Sequence, residues 1–333
     1  MSIISQSADY VKDTDKKWHQ KKGQNIEMAK KFFACGKLYH REDLLKRSAN
    51  MLDCARWLNM TLCPTCGRAE VKRANLCRDR FCPTCTWRLS LRRFAEMCAV
   101  MAHVQDYGTD YSASFLTLTV KNCNPEDLRE NLKKMSAAWN RFACQREFKK
   151  MVVGWARSLE ITYNAKTNQF HPHYHVILLL DPEKVRSFSV MQMWFRRKWA
   201  RAIDEGYEPI TDFRYIKAGD DISGEAFEKA ICETYKYTIK PDDMADMPLG
   251  TLATFTQAVY NVRSAAYGGI IKAARMLLNF TDTEEPEDDD AADMLGSICK
   301  CGTRMADVVA EWSFTDHHYK LIGEAKSDMR GST

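Results

Sequence analysis

Three histidines at alternate positions constrain the fold more than any other feature of this sequence. His171, His173 and His175 lie in the run Gln169-Phe-His-Pro-His-Tyr-His-Val-Ile-Leu-Leu-Leu180. Alternation with a period of two predicts a β-strand, because successive side chains of a strand point to opposite faces. The three imidazoles are therefore expected to project from one face of a sheet.

A second strand is expected directly before the histidines. Residues 157–163 are typical of a strand, and Asn164-Ala-Lys-Thr-Asn168 is typical of a turn. In an antiparallel hairpin centred on this turn, Glu160 falls opposite His173 and shares its face. Two imidazoles and one carboxylate suit a divalent cation with open coordination positions. The alternative is a strand whose histidines are only solvated or packed; three in register with an acid favour the metal site, formed by Glu160, His173 and His175.

A cysteine cluster predicts a second kind of metal site. The tetrapeptide Cys-Pro-Thr-Cys occurs twice, and a Cys-x-x-Cys turn directs two thiolates at one tetrahedral ion. The thirteen cysteines are an odd number without an export signal, which disfavours a disulfide framework, and no thioredoxin-like pattern supports redox-active pairs. We therefore expect structural Zn²⁺. Spacing leaves six candidate ligands: Cys54, Cys63, Cys66, Cys77, Cys82 and Cys85.

Charge points to a polyanionic partner. The formal net charge is +5, but seven acidic residues lie between positions 282 and 290, and without them the rest of the chain carries +12. A helix expected at residues 86–104 bears Arg88, Arg92 and Arg93, which could contact DNA phosphates; a solvated helix face is the alternative. The opening lacks an apolar segment and no apolar run could span a bilayer, so we expect a cytoplasmic protein without membrane contact.

Strands that alternate with helices around the hairpin predict an α+β fold with an antiparallel sheet. A helix is expected from residue 223 to 239. It would place Glu233, Tyr237 and Lys240 on one face, since these residues are spaced by four and three. Tyrosines at such positions usually pack their rings, and only the metal strand in the same chain raises the prospect of catalysis.

Taken together, these motifs resemble the rolling-circle replication initiators of small bacterial plasmids, within the HUH endonuclease superfamily. The resemblance extends from about Cys54 to Lys240, with a weaker match at Tyr267-Gly-Gly. It rests on these segments: Asp53-Cys54, Cys77-Arg-Asp-Arg-Phe-Cys-Pro-Thr-Cys85 with Trp87-Arg88, Phe115-Leu-Thr-Leu-Thr119, Leu159-Glu-Ile-Thr-Tyr-Asn164, Pro172-His-Tyr-His-Val176 and Lys236-Tyr-Thr-Ile-Lys240.

The resemblance implies roles for individual residues. His173, His175 and Glu160 would bind the catalytic Mn²⁺ or Mg²⁺, and His171 ranks below them. Tyr237 would be the nucleophile, Glu233 would activate water in a later release step, and Lys240 would hold the phosphate. For zinc, the resemblance favours one set of four ligands and leaves the pair at 63 and 66 as an addition: Cys54, Cys77, Cys82 and Cys85.

The function implied by the resemblance is nicking of plasmid origin DNA, double-stranded and single-stranded, through a 5′-phosphotyrosine link that leaves a free 3′-OH primer. A host helicase and DNA polymerase would be partners. Two alternatives stay open: an HUH transposase or relaxase, and a non-enzymatic zinc-dependent DNA-binding regulator.

The expected organisation has an HUH core with helices on its faces, a zinc module and helical appendages. Its segments are an N-terminal arm and helix (1–50), the zinc module and basic helix (51–105), the HUH nicking domain (106–245), a helical segment (246–280), and an acidic linker and C-terminal tail (281–333).

Overall fold

Two antiparallel sheets organise this computed structural model, which describes residues 16–106, 110–216, 225–235, 238–280 and 298–324. The predicted α+β class is confirmed. The helices are α1 (Lys16–Leu38), α2 (Glu42–Asp53), α3 (Pro83–Asp106), α4 (Leu128–Ala143), α5 (Arg146–Met151), α6 (Phe188–Ile203), α7 (Glu225–Thr234), α8 (Pro241–Asp246), α9 (Leu249–Ala258) and α10 (Gly269–Leu277). The strands are β1 (Trp57–Leu62), β2 (Ala69–Ala74), β3 (Ser112–Thr119), β4 (Val152–Asn164), β5 (Gln169–Leu180), β6 (Thr211–Tyr215), β7 (Ala265–Gly268), β8 (Ala306–Ser313) and β9 (His318–Glu324).

The chain forms two compact units. The first combines Met1–Arg88 with Glu285–Thr333, and the second is Leu89–Glu284, so the division falls within α3. In the first unit the strand order is β2-β1-β8-β9, which places the two C-terminal strands beside the N-terminal hairpin. The described part of the predicted C-terminal tail therefore supplies two of the four strands of this sheet. The five segments expected from the sequence stay a prediction.

The core of the first unit lies between α1 and its sheet. Trp18 and Ile26 of α1 are buried together with Leu58 and Met60 of β1 and Trp312 of β8. Strand β1 contributes alternate apolar side chains to this core, as expected for a sheet with one covered face. Helix α1 and strand β8 thus share one hydrophobic core although they lie far apart in the sequence.

The second unit has a five-stranded sheet in the order β6-β3-β5-β4-β7 with helices on both faces. On one face, α3, α7 and α10 pack against Phe115, Ala156 and Ile177. On the other face, Trp139 of α4 packs edge-on against Tyr174, with ring centroids 5.9 Å apart. The histidines of β5 share the face of Ile177, because odd-numbered residues of this strand point the same way.

The junction between β7 and α10 needs glycine. Gly269 has a φ of 59°, and a Cβ there would lie 2.1 Å from the carbonyl oxygen of Val153 on β4. Any larger residue would both strain the backbone and push β4 away. The weaker match at Tyr267-Gly-Gly thus marks the point where the start of α10 lies close to β4.

The helix predicted for residues 223–239 is shorter than expected: α7 ends at Thr234. The carbonyl of Thr238 instead accepts a hydrogen bond of 2.7 Å from the backbone amide of Ile161 on β4, and Ile239 is buried. Pairing with the sheet and burial of an apolar side chain thus outweigh the helical pattern. Within the described residues, no helix has the length and apolarity needed to cross a bilayer.

Candidate metal centres

The histidine site is built by the hairpin of β4 and β5. Asn164 begins the turn, and its side-chain oxygen accepts a hydrogen bond from the amide of Lys166 at 3.0 Å. Asn168 ends the turn with a φ of 51°, a conformation that asparagine tolerates better than most residues. The resulting register pairs Glu160 with His173, as the sequence predicts.

Three buried side chains converge at this point of the sheet. Nε2 of His173 lies 3.2 Å from Oε2 of Glu160, and Nε2 of His175 lies 2.9 Å from the same oxygen. Each residue offers one ligand atom, and the three atoms lie within 4.8 Å of one another. All three residues are less than 9% exposed, so water screens this cluster poorly.

The outer nitrogens of the imidazoles also have partners. Nδ1 of His173 lies 3.2 Å from the carbonyl oxygen of His171, and Nδ1 of His175 lies 3.4 Å from Oγ1 of Thr117. Phe115 stacks on the ring of His175 with centroids 5.4 Å apart. These contacts fix both rings so that their Nε2 atoms face Glu160, the arrangement found around metal-binding histidines.

The partners of His173 indicate that a cation belongs in this cluster. A carbonyl oxygen only accepts hydrogen bonds, so neutral His173 carries its proton on Nδ1. Its Nε2 then turns a lone pair toward the carboxylate of Glu160. Two facing lone pairs repel each other, and a divalent ion bound between them, or a second proton on the imidazole, removes the repulsion. The residues present therefore fit a metal ion.

Electrostatics keep the carboxyl group of Glu160 ionised. Burial opposes ionisation, but the interactions with His173 and His175 outweigh it and hold the pKa of Glu160 well below its usual range. An ionised carboxylate is the form that binds a cation. His171 lies outside this group, which agrees with its lower rank in the sequence analysis; burial, with a smaller effect of His173, lowers the pKa of His171.

The last residue of α7 and Thr238 both contact β4 close to Glu160. Ser158, which pairs with His175, donates a hydrogen bond to the carbonyl of Thr234, and Ile161 donates to the carbonyl of Thr238. These two contacts flank Glu160 on β4. Burial raises the pKa of Tyr235 well above its usual value, so its phenol is poorly suited to act as a nucleophile.

The structure describes two of the three predicted catalytic residues. Tyr237 lies outside the described residues. Glu233 is half-buried in the last turn of α7, whereas exposed Lys240 caps the start of α8. Glu233 and Lys240 therefore do not share one helix, because α7 ends at Thr234.

Four of the six candidate cysteines form one group. Sγ of Cys54 lies 3.5 Å from that of Cys82 and 3.6 Å from that of Cys85, and Cys77 lies 3.7 Å from Cys85. Hydrogen bonds from neighbouring thiols, that of Cys77 first, hold the pKa of Cys54 well below its usual range. A thiolate is the form that binds metal. This is the set that the resemblance favours.

Helix α1 supports the cysteine group from behind. Oδ1 of Asn25 accepts hydrogen bonds from Sγ of Cys82 at 3.3 Å and from the amide of Thr84 at 3.1 Å. Buried Lys22 donates to the carbonyl of Cys54 at 2.7 Å, and burial lowers the pKa of Lys22 to about 8. Sequence reasoning missed both residues, because their role depends on how α1 packs against the cluster.

Cys63 and Cys66 belong to a different group. Their thiols lie beside Cys299 and Cys301, just before β8. The sequence analysis left the cysteines at 299 and 301 without a role and treated those at 63 and 66 as an addition. No local pattern links the two pairs, since Cys63 and Cys301 are 238 residues apart.

The predicted DNA-binding arginines make contacts within the protein. Arg88 lies over the rings of two tryptophans, 5.6 and 5.9 Å from their centroids. Nε of Arg92 lies 3.3 Å from Glu96, and buried Arg93 donates to Oγ of Ser264 at 3.1 Å. Their proposed contact with phosphate stays a prediction, and Arg93 would have to leave its buried position to make one.

Comparison with known proteins agrees with the resemblance. The replication protein family matches residues 68–320. A protein rep from Bacillus amyloliquefaciens is 30% identical over 299 residues, 83% of this chain and 88% of the relative. A protein rep from Streptococcus pneumoniae serotype 2 (strain D39) is 27% identical over 308 residues, 92% of each. No solved structure gives a significant match.

The family match spans more than half of the chain, so this protein belongs to the replication protein family. The resemblance to plasmid replication initiators is thereby confirmed, and the family supports a role as a replication initiator.

Proposed function

We propose that this protein initiates rolling-circle replication by nicking one strand of plasmid origin DNA, with an HUH-type site. The observation that carries the proposal is the convergence of His173 and His175 on one oxygen of buried Glu160. The contacts of both Nδ1 atoms, with the carbonyl of His171 and with Thr117, hold the two imidazoles so that their Nε2 atoms face Glu160. This orientation suits the three side chains to bind Mn²⁺ or Mg²⁺. Such an ion polarises a phosphodiester oxygen and neutralises charge that develops on it.

Tyr237 is the proposed nucleophile. It is adjacent in sequence to Thr238. The carbonyl of Thr238 accepts a hydrogen bond from the backbone amide of Ile161, the residue after Glu160. Its phenol oxygen would attack the scissile phosphorus as the bond from phosphorus to the 3′ oxygen breaks. The phenolic proton passes to solvent, the leaving 3′ oxygen takes up a proton, and the 5′ phosphate stays on the tyrosine. The free 3′-OH can then prime a DNA polymerase.

The roles of Glu233 and Lys240 rest on the resemblance alone. Glu233 would act as a general base that activates water when the replicated strand is released, and Lys240 would hold the phosphate. Because the two residues lie on different elements, their cooperation depends on the path of the chain between α7 and α8. Variants must therefore test each residue separately.

Other parts of the proposal concern partners and zinc. Origin DNA would be bound in double-stranded and single-stranded form, and Arg88, Arg92 and Arg93 remain the proposed phosphate contacts. A host helicase and DNA polymerase would extend the primer in the cytoplasm. Structural Zn²⁺ suits the group around Cys54, because four thiolates at tetrahedral spacing prefer this ion.

A covalent adduct with DNA tests the nucleophile. We expect the wild-type protein with Mn²⁺ to nick a supercoiled plasmid carrying its origin and to form an SDS-resistant adduct. Tyr237→Phe should abolish both and leave origin binding intact, whereas Tyr235→Phe should keep nicking activity. Glu233→Gln should allow the first nick and impair release, so that DNA longer than one unit accumulates with protein attached.

Three outcomes would contradict the proposal. Origin binding without any adduct under all metal conditions would favour the non-enzymatic regulator. Adduct formation by Tyr237→Phe at the wild-type rate would show that another residue is the nucleophile. Nicking of a transposon end or transfer origin in preference to a replication origin would instead favour a transposase or relaxase.

A further inference from the structure

We propose that Cys63, Cys66, Cys299 and Cys301 bind a second structural zinc ion, which fastens the C-terminal strands to the N-terminal hairpin. This site shares no ligand with the group around Cys54. It is also independent of the nicking chemistry, because all its ligands belong to the first unit.

The spacing of the sulfur atoms fits a tetrahedral ion. Sγ of Cys63 lies 3.5 Å from that of Cys301, and Sγ of Cys66 lies 3.4 Å from that of Cys299. The four sulfur atoms lie within 4.8 Å of one another. Zinc binds thiolates at about 2.3 Å, which places the sulfurs of a regular tetrahedron about 3.8 Å apart. The site therefore needs only small adjustments to hold the ion.

Sheet topology explains why the two pairs meet. Strand β1 ends at Leu62, directly before Cys63, and β8 begins at Ala306, shortly after Cys301. The strands are antiparallel, and Leu62 pairs with Ala306. The end of one strand and the start of the other therefore lie at the same edge of the sheet, so the turns that carry the cysteines face each other.

Both turns place a glycine with a positive φ directly after the second cysteine, although two residues separate Cys63 from Cys66 and one separates Cys299 from Cys301. Gly67 follows Cys66 with a φ of 73°, and Gly302 follows Cys301 with a φ of 83°. In each turn this glycine donates a backbone hydrogen bond to the carbonyl of the first cysteine, at 3.0 Å for Gly67 and 2.8 Å for Gly302. The Cys63-Pro-Thr-Cys66 turn has the spacing usual in structural zinc sites, and the shorter turn at Cys299 brings its two thiols to the same cluster.

A second contact joins the turns themselves. Oγ1 of Thr303 donates to Oγ1 of Thr65 at 3.0 Å, so each turn touches the other beside the sulfur atoms. Cys63 and Cys299 are buried together with Met305, whereas Cys66 and Cys301 are exposed. Burial of apolar thiols alone would not bring two exposed cysteines within contact distance of the buried pair.

Two disulfides are the other way to join these cysteines, and the geometry favours zinc. A disulfide needs sulfur atoms about 2.05 Å apart and links them in pairs. Here the closest pairs lie at 3.4 and 3.5 Å, and all four atoms form one cluster. The second pair of thiols thus completes a four-ligand set rather than a pair of bridges.

Zinc content and thiol protection test the inference. Elemental analysis of the purified full-length protein should give two zinc ions per chain. Cys66→Ser/Cys299→Ser should reduce this number to one, whereas Cys66→His, which keeps a ligand, should retain two. The matched control is Cys144→Ser/Cys232→Ser, which removes two exposed cysteines outside both clusters and should also retain two.

Thiol alkylation keeps the test decisive if a variant fails to fold. In native, pre-reduced wild-type protein, exposed Cys66 and Cys301 should resist alkylation until a chelator is added, whereas exposed Cys144 should react at once. Mass spectrometry of the peptides distinguishes them. One zinc per chain, iron in place of the second zinc, or alkylation of Cys66 and Cys301 as fast as Cys144 would each overturn the inference.

Discussion

The histidine site and the cysteine groups differ in how much of the chain each one needs. Pairing of β4 with β5 is enough to place Glu160 beside His173 and His175. The group around Cys54 instead requires α2, the segment before α3 and the start of α3 to meet. Pairing of two consecutive strands therefore assembles the first site, whereas each cysteine site needs segments that are distant in the sequence to meet.

This difference separates function from stability. The histidine site lies at the end of a well-packed sheet, so its ligands can be exchanged while the hairpin persists. A structural zinc site in a small module contributes its binding free energy to folding. Loss of a ligand should therefore cost activity in the second unit and stability in the first.

The largest expected effect is on the stability of the first unit. Cys85→Ser removes a buried sulfur ligand from the group around Cys54. We expect the free energy of unfolding of this unit to fall by about 5 kcal/mol, comparable with the whole stability of a small domain, because metal binding there is coupled to folding. Chemical unfolding of wild-type and variant protein, with and without a chelator, measures the change.

The control for this prediction is Cys144→Ser, an exposed cysteine outside the metal groups, which should change stability by less than about 0.5 kcal/mol. Chelation should destabilise the wild type more than Cys85→Ser, because the variant retains only the proposed zinc ion of the group around Cys63. If Cys85→Ser is as stable as the wild type, the cysteine group does not hold the unit together, and the contrast with the histidine site fails.

The next effect is on activity alone. His173→Ala/His175→Ala should lower nicking by on the order of 10³, because several kcal/mol of charge stabilisation by the metal ion are lost. Its unfolding midpoint should fall far less than that of Cys85→Ser, since the hairpin and the core beneath it remain. Plasmid nicking at fixed Mn²⁺, together with thermal unfolding, measures both quantities.

His171→Ala serves as the comparison on the same strand. Its side chain lies outside the group of three ligands, so its loss should reduce nicking far less. Equal losses for His171→Ala and for the double variant would mean that the strand, rather than its two inner histidines, determines activity.

The histidine site could be predicted from the sequence because its information is local. A period of two placed the histidines on one face, and a recognisable turn fixed the register with Glu160. The cysteine ligands could be placed only in part. Which four of six candidates form the first group depends on how the segments pack, and the second group depends on pairing of β1 with β8, which no local pattern encodes.

The end of α7 shows the opposite error, in which a local pattern misleads. Residues up to 239 have helical spacing, yet the chain leaves the helix at Thr234. The carbonyl of Thr238 is bonded to β4 and Ile239 is buried. Tertiary contacts outweigh helix propensity, which amounts to less than about 1 kcal/mol for each residue. The element that leads to Tyr237 is thus the one that sequence reasoning placed least well.

The smallest expected effect concerns acid, and it tests whether the histidine site contributes to stability at all. The pKa of Glu160 in the folded protein lies well below its usual value of 4.5. A carboxyl whose pKa is lowered by folding stabilises the protein fully above its usual pKa, and this contribution disappears as pH falls through the folded pKa. In metal-free protein, the stability difference between wild type and Glu160→Gln should therefore be constant from pH 7 to 5. It should shrink only below about 4.5, as unfolded carboxyls take up protons.

Urea unfolding across this range measures the difference, with Glu126→Gln, an exposed carboxyl on another segment, as the control. A difference that already shrinks between pH 7 and 5 would contradict this prediction, because ionisation of Glu160 alone would then not account for its contribution to stability.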